Sequence, residues 1–331
     1  MTYITRLIFY ALVFLSILTG CQNGGGSGNA DNYPARPITF LVPWSAGGMT
    51  DLSSRALAAV MQKHIGQPVN VINRTGGGGV IGHLALSQAR PDGYTVGAVT
   101  VEITMMHNMG LTDLSYQDYT PLSLIIDNAA SVTVRADAPY NTLQELLDAI
   151  KANPGSLKAS GTARGAIWDL ARIGFLSAAG LQESDMPWVP SQGAAPALQE
   201  LIAGGVDVVT ASMSEVDALR QAGQVKTLAV MADERLQKFP QVPTLKELGI
   251  DWQSSGWVSV CAPKDLPEDI KTKLETAIKA AMEDPEFVNA LTSAGSQIRS
   301  MQGQALLDFM QQQDQKNSQA MEMAGLKQKA Q

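Results

Sequence analysis

The chain has 331 residues, enough for one large or two medium domains with proper cores. Its apolar fraction of 45% and charged fraction of 17% are those of a globular protein, and a net charge of −7 argues against a basic nucleic-acid face. A small anion is not excluded, because local backbone dipoles bind one without a positively charged molecule.

Residues 1–20 read as a targeting segment: Arg6 is followed by an apolar run over 7–18 that is too short for a comfortable membrane span. The run ends in Leu18-Thr19-Gly20-Cys21, which resembles the lipobox of bacterial lipoproteins and so implies cleavage before Cys21 and lipid on its thiol. Residues 21–32 have almost nothing apolar to pack and read as a flexible tether with a reach of roughly 20 Å. That leaves Cys261 as a lone thiol without an internal disulfide, best read as a small core residue.

From residue 33 onward strand and helix patterns alternate, the signature of an α/β fold with parallel-rich sheets. Residues 38–42 predict a buried strand, and Leu52, Ala56, Val60 and Met61 recur at helical spacing. Between them lies Pro43-Trp44-Ser45-Ala46-Gly47-Gly48-Met49-Thr50-Asp51. Small residues there uncover N–H groups at a helix start, where the first donors lack partners and the macrodipole favours an anion. Thr50 or Asp51 serves equally well as a plain helix cap. A second strand is expected over 69–72, a Gly-rich loop and a helix through Leu84, and a third strand over 94–101. Residues 122–126 and 131–134 read as two strands interrupted by Asp127-Asn128. Thr142 or Asn141 caps a helix whose Leu143, Leu146, Leu147 and Ile150 share one face. A short strand over 157–160 then leads through Gly161-Thr162-Ala163-Arg164-Gly165 into a helix over 166–179. That junction repeats the first, and Asp169-Leu170-Ala171-Arg172 echoes Asp51-Leu52-Ser53-Ser54-Arg55. Two helix starts rich in donors, one in each lobe, suit a ligand with two anionic ends. Farther on, an extended stretch over 187–190 precedes a helix with Leu198, Leu201 and Ile202 inward, and strands are expected over 206–210, 226–231 and 256–260. Residues 211–214 read as a loop, and long helices over 267–282 and 304–325 close the chain, the second with a solvated face over 311–319.

Glycines 77, 79 and 82 match G-x-G-x-x-G, with Glu102 twenty residues beyond. The match follows the second strand rather than the first, and a run of four glycines satisfies it easily, so an NAD(P)-dependent oxidoreductase is only the alternative reading. His64, His83 and His107 have no metal-ligand spacing and read as surface or cap residues; no metal or cofactor is expected. Met105, Met106 and Met109 read as packing or cleft lining.

Six islands in order resemble one family, the substrate-binding proteins of tripartite tricarboxylate transporters, also called the TctC or Bug family. They are Tyr33-Pro34-Ala35-Arg36-Pro37-Ile38 running into Pro43-Trp44-Ser45-Ala46-Gly47-Gly48, Asn73-Arg74-Thr75-Gly76-Gly77-Gly78-Gly79, Arg90-Pro91-Asp92-Gly93-Tyr94-Thr95, Gly193-Ala194-Ala195-Pro196-Ala197-Leu198 and Phe239-Pro240-Gln241-Val242-Pro243-Thr244, with Asp51 and Arg55. The resemblance implies a two-lobed periplasmic-binding-protein fold with a two-segment hinge, residues 33–126 with 256–331 forming one lobe and 127–255 the other. It implies no enzyme, but a monomer that closes on a small carboxylate and delivers it to the large and small membrane subunits of a transporter. The implied location is extracytoplasmic, on a lipid anchor. A sensor that reports to a membrane receptor would share the same cleft. One end of the ligand is expected on Trp44, Ser45, Ala46, Gly48, Thr50 and Asp51, the other on Ser160, Thr162, Arg164, Ser191, Gly193 and Ala194. Where the family often carries a Gly-Ser-Gly-Ser-like run, this chain has Ser160 to Gly165, with Arg164 facing either ligand or solvent.

Overall fold

A computed structural model describes residues 32–328. The expected signal peptide, tether and Cys21 lie outside the described residues, apart from Asn32 at the tether's last position. The elements in order are β1 (Ile38–Val42), α1 (Met49–Ile65), β2 (Val69–Asn73), α2 (Val80–Ser87), β3 (Thr95–Thr100), β4 (Tyr119–Arg135), α3 (Leu143–Ala152), β5 (Ala159–Ser160), α4 (Ile167–Ala178), β6 (Trp188–Val189), α5 (Ala194–Ala203), β7 (Val208–Ser212), α6 (Met213–Gln221), β8 (Val225–Val230), β9 (Ser255–Pro263), α7 (Glu268–Glu283), α8 (Pro285–Ala294), β10 (Ile298–Met301) and α9 (Gly303–Met323). Among the described residues no helix is long and apolar enough to cross a membrane.

Two sheets share one strand. The first runs β2-β1-β3-β9-β4, parallel across β2, β1 and β3 and antiparallel where β9 and β4 join it, with β10 also on β4. The second places β8 and β7 antiparallel on the far half of β4, and β5 and β6 continue parallel from β7. Strand β1 is covered on both faces, with Ile38, Phe40 and Val42 fully buried on one and Leu41 buried on the other, as suits a parallel strand between helix layers. Helix α1 packs Leu57, Val60 and Met61 inward and stops where Gly66 turns left-handed at φ 78°. Helix α3 has the expected face and a full capping box between Thr142 and Glu145.

The two strands expected over 122–134 are one 17-residue strand, because Asp127 and Asn128 do not break it. Pairing passes from β9, as far as Ala129–Ser255, to β7 and β8 beginning at Ala130–Ser212 and Ser131–Val230. The Asn128 side chain, 2% exposed, is satisfied at this crossing by Ser214, Ser296 and the Gln297 N–H. The return crossing lies beside it: the Met231 N–H donates to the Ala130 carbonyl and the Ala130 N–H to the Ser254 carbonyl.

Further differences have local causes. Residues 211–214 are not a loop, because Ser212 ends β7 and caps α6 at once through its S-x-x-E pairing with Glu215. Asp284-Pro285, a cap followed by proline at the first helical position, starts the unanticipated α8. His83 is buried rather than a surface residue: its Nδ1 donates to the Gly79 carbonyl and its Nε2 accepts from the Thr100 N–H, so the neutral ring needs no water. On α9, Asn317 breaks the expected solvated face, being 6% exposed and bonded to Thr104 Oγ1.

Candidate functional site

The first loop is built by the strand-to-helix junction of β1 and α1. Gly47, at φ 85°, turns the chain so that its N–H reaches Asp51 Oδ2 at 2.9 Å. Asp51, third in the helix, also accepts from Arg55 Nε and from Asn73 Nδ2, which in turn donates a second bond to the Trp44 carbonyl. Burial pushes the Asp51 carboxyl up, but Arg55, the Gly47 N–H and Asn73 outweigh it and hold its pKa below the ordinary value.

The second loop repeats the glycine–aspartate–arginine arrangement, with the arginine three rather than four residues beyond the aspartate. Gly165, at φ 71°, donates its N–H at 2.8 Å to Asp169 Oδ2, again third in its helix, and Asp169 Oδ1 accepts from Arg172 Nε and Nη2 at 3.0 and 2.7 Å. Here burial wins: both side chains are at most 1% exposed, and burial raises the Asp169 pKa against the pull of Arg172. The short likeness between residues 51–55 and 169–172 therefore marks two equivalent helix starts.

These helix starts line one cavity, together with Gly193 and Ala194 at the start of α5. Each is reached by a glutamate from the other sheet. Glu215 Oε1, on α6, accepts from the Met49 N–H at 3.0 Å, while its Oε2 accepts from the Ser212 N–H and hydroxyl. Reciprocally, Glu102, just after β3, accepts through Oε1 from the Ile167 N–H at 3.3 Å. Glu102 Oε2 accepts from the Thr100 hydroxyl, which itself accepts from the Trp44 indole N–H at 3.2 Å. Burial raises the pKa of both glutamates, and for Glu102 the charge of Glu215 adds to the rise. The first N–H of α1 and of α4, the donors expected to face an anion, are thus each held by a carboxylate of the chain itself.

Of the expected site residues, the structure gathers Trp44, Ser45, Gly48, Thr50, Thr162, Gly193 and Ala194 around the cavity. The other five lie elsewhere. Ala46 is exposed, and Asp51 turns toward Arg55 and Asn73. Ser160 donates to the Val189 carbonyl, and Ser191 to the carbonyl of Gly193. Arg164, with its side chain 58% exposed, lies 3.5 Å from Glu183. Sequence reasoning missed Glu102, Glu215, Thr100 and Trp168. Only Glu215 carried a signal, the S-x-x-E spacing from Ser212, and that signal reports a helix cap rather than a cavity wall.

The glycine-rich loop has a packing role. Gly76, Gly77, Gly78 and Gly79 all have positive φ, which four successive residues with side chains would not adopt. A Cβ on Gly79 would stand 3.2 Å from both Trp44 and Met106, and one on Gly82 would stand 2.5 Å from Pro43 Cα. The loop thereby buttresses the first site loop from behind and does not line the cavity.

Two α/β sheets joined by two crossings, with a cavity between facing helix starts, define a periplasmic binding protein. The fold is that of the periplasmic binding protein BugD, with TM-score 0.85 at 27% identity over 90% of this chain and 100% of that one. The structure is also similar to MatC from Rhodopseudomonas palustris with bound malate, TM-score 0.79, 25% identity, covering 87% and 99%. An R. palustris protein solved with adipate gives TM-score 0.83 and 26% identity, covering 88% and 98%. Residues 53–326 match the model of the tripartite tricarboxylate transporter family receptor, TctC, and the chain belongs to that family. Among its relatives are a UPF0065 protein of Bordetella pertussis, 33% identical over 87% of this chain and 89% of that one, and BugT of the same organism, 32% identical over 81% and 83%.

Proposed function

We propose that the protein is an extracytoplasmic solute-binding lipoprotein, tethered through Cys21, that captures a small carboxylate between two lobes and delivers it to a tripartite transporter. The observation that carries this reading is the pair of equivalent helix starts, α1 and α4, facing one cavity from different sheets. Glycine or alanine at each N-cap supplies no capping side chain, so beyond the first N–H, which Glu215 or Glu102 holds, the donors of each helix start favour negative charge. MatC and the other R. palustris relative were solved with malate and with adipate, both of which carry carboxylates.

Binding proceeds by lobe movement about the crossings at 129–130 and 254–255. The cavity volume is about 20 Å³, roughly the space of a single water, so an organic acid is admitted only when the lobes part. Parting breaks the bonds of Glu215 to Met49, of Glu102 to Ile167 and of Ser45 to the Gln192 carbonyl. A ligand carboxylate then bridges the lobes, and closure forms the surface presented to the permease.

The test is the melting temperature of the full chain in mild detergent against mono-, di- and tricarboxylates. At a hundred times its Kd a ligand adds about 2.7 kcal/mol, a rise of roughly 4 °C or more for a body of this size. A rise confined to one class of carboxylate is the expected result. A flat response to every carboxylate, after refolding from denaturant to strip retained ligand, refutes the reading.

A further inference from the structure

The charge of the cavity narrows the ligand class, given the binding-protein reading on which this inference rests. Among the described residues its lining holds two acids, Glu102 and Glu215, and no lysine, arginine or histidine. Glu102 is 2% exposed, and Glu215 is partly buried with its carboxylate at the cavity wall. Two of the donors on Glu215 are backbone N–H groups, of Met49 and Ser212, one to each oxygen. An N–H cannot accept, so this environment suits an acceptor-only, ionised carboxylate. A ligand with only carboxylates would bring negative charge against these acids in a place sheltered from water, where charge repulsion is strong.

A second observation points to a nitrogen. Thr162 lines the same cavity, is 4% exposed, and its Oγ1 has no hydrogen-bond partner among the described residues. Glu102, Glu215 and Thr162 thus offer three acceptors from three elements. A protonated primary amine has three N–H donors and one positive charge, whereas a ligand carboxylate could use only the threonine hydroxyl, as a donor.

We propose that the cleft selects carboxylates that also carry a protonated amine, the class of free amino acids, with Glu102, Glu215 and Thr162 as the acceptors of its ammonium group. The carboxylate end lies against the remaining uncovered N–H groups at the α1 and α4 starts, and a ligand whose ammonium offsets one of its negative charges is the one that two buried acids tolerate. A buried polar site of this kind rejects analogues that lack the matching group, because its own acceptors are then left unpaired.

Calorimetry on the full chain in mild detergent tests this with matched pairs that differ by one amino group: succinate and aspartate, glutarate and glutamate, propionate and alanine, adipate and 2-aminoadipate. In at least one pair the amino member should bind at least about tenfold more tightly. Glu102→Gln keeps an oxygen for the Ile167 N–H and an amide for the Thr100 hydroxyl, so it should fold, and it should cut that preference at least about tenfold. Thr162→Val, which deletes an unpaired hydroxyl and should cost no stability, should weaken the amino member more than its partner. If the members lacking the amine bind as tightly as their amino partners, the proposal fails while the carboxylate reading stands. An amino preference untouched by both variants also overturns it. Failure of every member of every pair to bind overturns it too, and the carboxylate reading then stands or falls on the melting panel with tricarboxylates.

Discussion

Replacing Asp169 by alanine isolates the energetic difference between the two equivalent helix starts. The change removes the acceptor of two Arg172 bonds, at 3.0 and 2.7 Å, and of the Gly165 N–H at 2.8 Å. Arg172 keeps its bonds to the Glu183 and Met186 carbonyls, but at 1% exposure its charge cannot reach water. Breaking a buried pair in this way costs about 3 to 5 kcal/mol. A body of about 300 residues has a melting entropy of about 0.6 kcal/mol per degree, so the melting temperature should fall by about 5 to 8 °C. Asp51→Ala makes the same deletion where Arg55 is 48% exposed and free to swing into solvent, and should cost about 1 kcal/mol, or about 2 °C. The assay is thermal unfolding of the full chain followed by circular dichroism. Replacing both members of the buried pair, Asp169→Leu with Arg172→Met, should regain over half of the loss, since no unpaired charge remains. Equal shifts for Asp169→Ala and Asp51→Ala, or a double variant worse than the single one, would refute the argument that burial sets the cost.

His83 should make the protein acid-sensitive. Burial lowers its pKa from 6.5 to about 4 against the pull of the Gly79 carbonyl. Between those values the unfolded chain binds a proton that the folded chain does not, so stability falls as pH drops from 6.5 and levels off below about 4. His83 should account for roughly 2 to 3 kcal/mol of the loss between pH 7.5 and 4.5, read from urea unfolding, and His83→Gln should remove that share. An unchanged pH dependence in the variant would place the sensitivity elsewhere. Gly82→Ala puts a Cβ 2.5 Å from Pro43 Cα and 2.6 Å from the Arg74 carbonyl, both backbone atoms that move only with the chain. It should cost about 1 to 3 kcal/mol and weaken ligand binding through Trp44; an unaltered melting temperature would show that the contact relaxes freely.

Most of the elements were legible because each local signal has one physical cause. Alternating strand and helix patterns, the Thr142 capping box and the terminating Gly66 need only neighbouring residues to be read. The two donor-rich helix starts were legible for the same reason, down to the echo between Asp51 with Arg55 and Asp169 with Arg172. What the chain alone left open was everything that depends on a partner distant in sequence. Asp127 and Asn128 look like a strand break until Ser296 and Gln297, more than 160 residues away, satisfy Asn128. Nothing near His83 announces that its two acceptor and donor needs are met inside the core. Glu102 and Glu215 are ordinary surface acids by composition, and 113 positions separate them. Only the folding of two sheets about shared crossings carries each glutamate to the opposite helix start, where low access to water raises both pKa values and sets two unremarkable acids against one cavity.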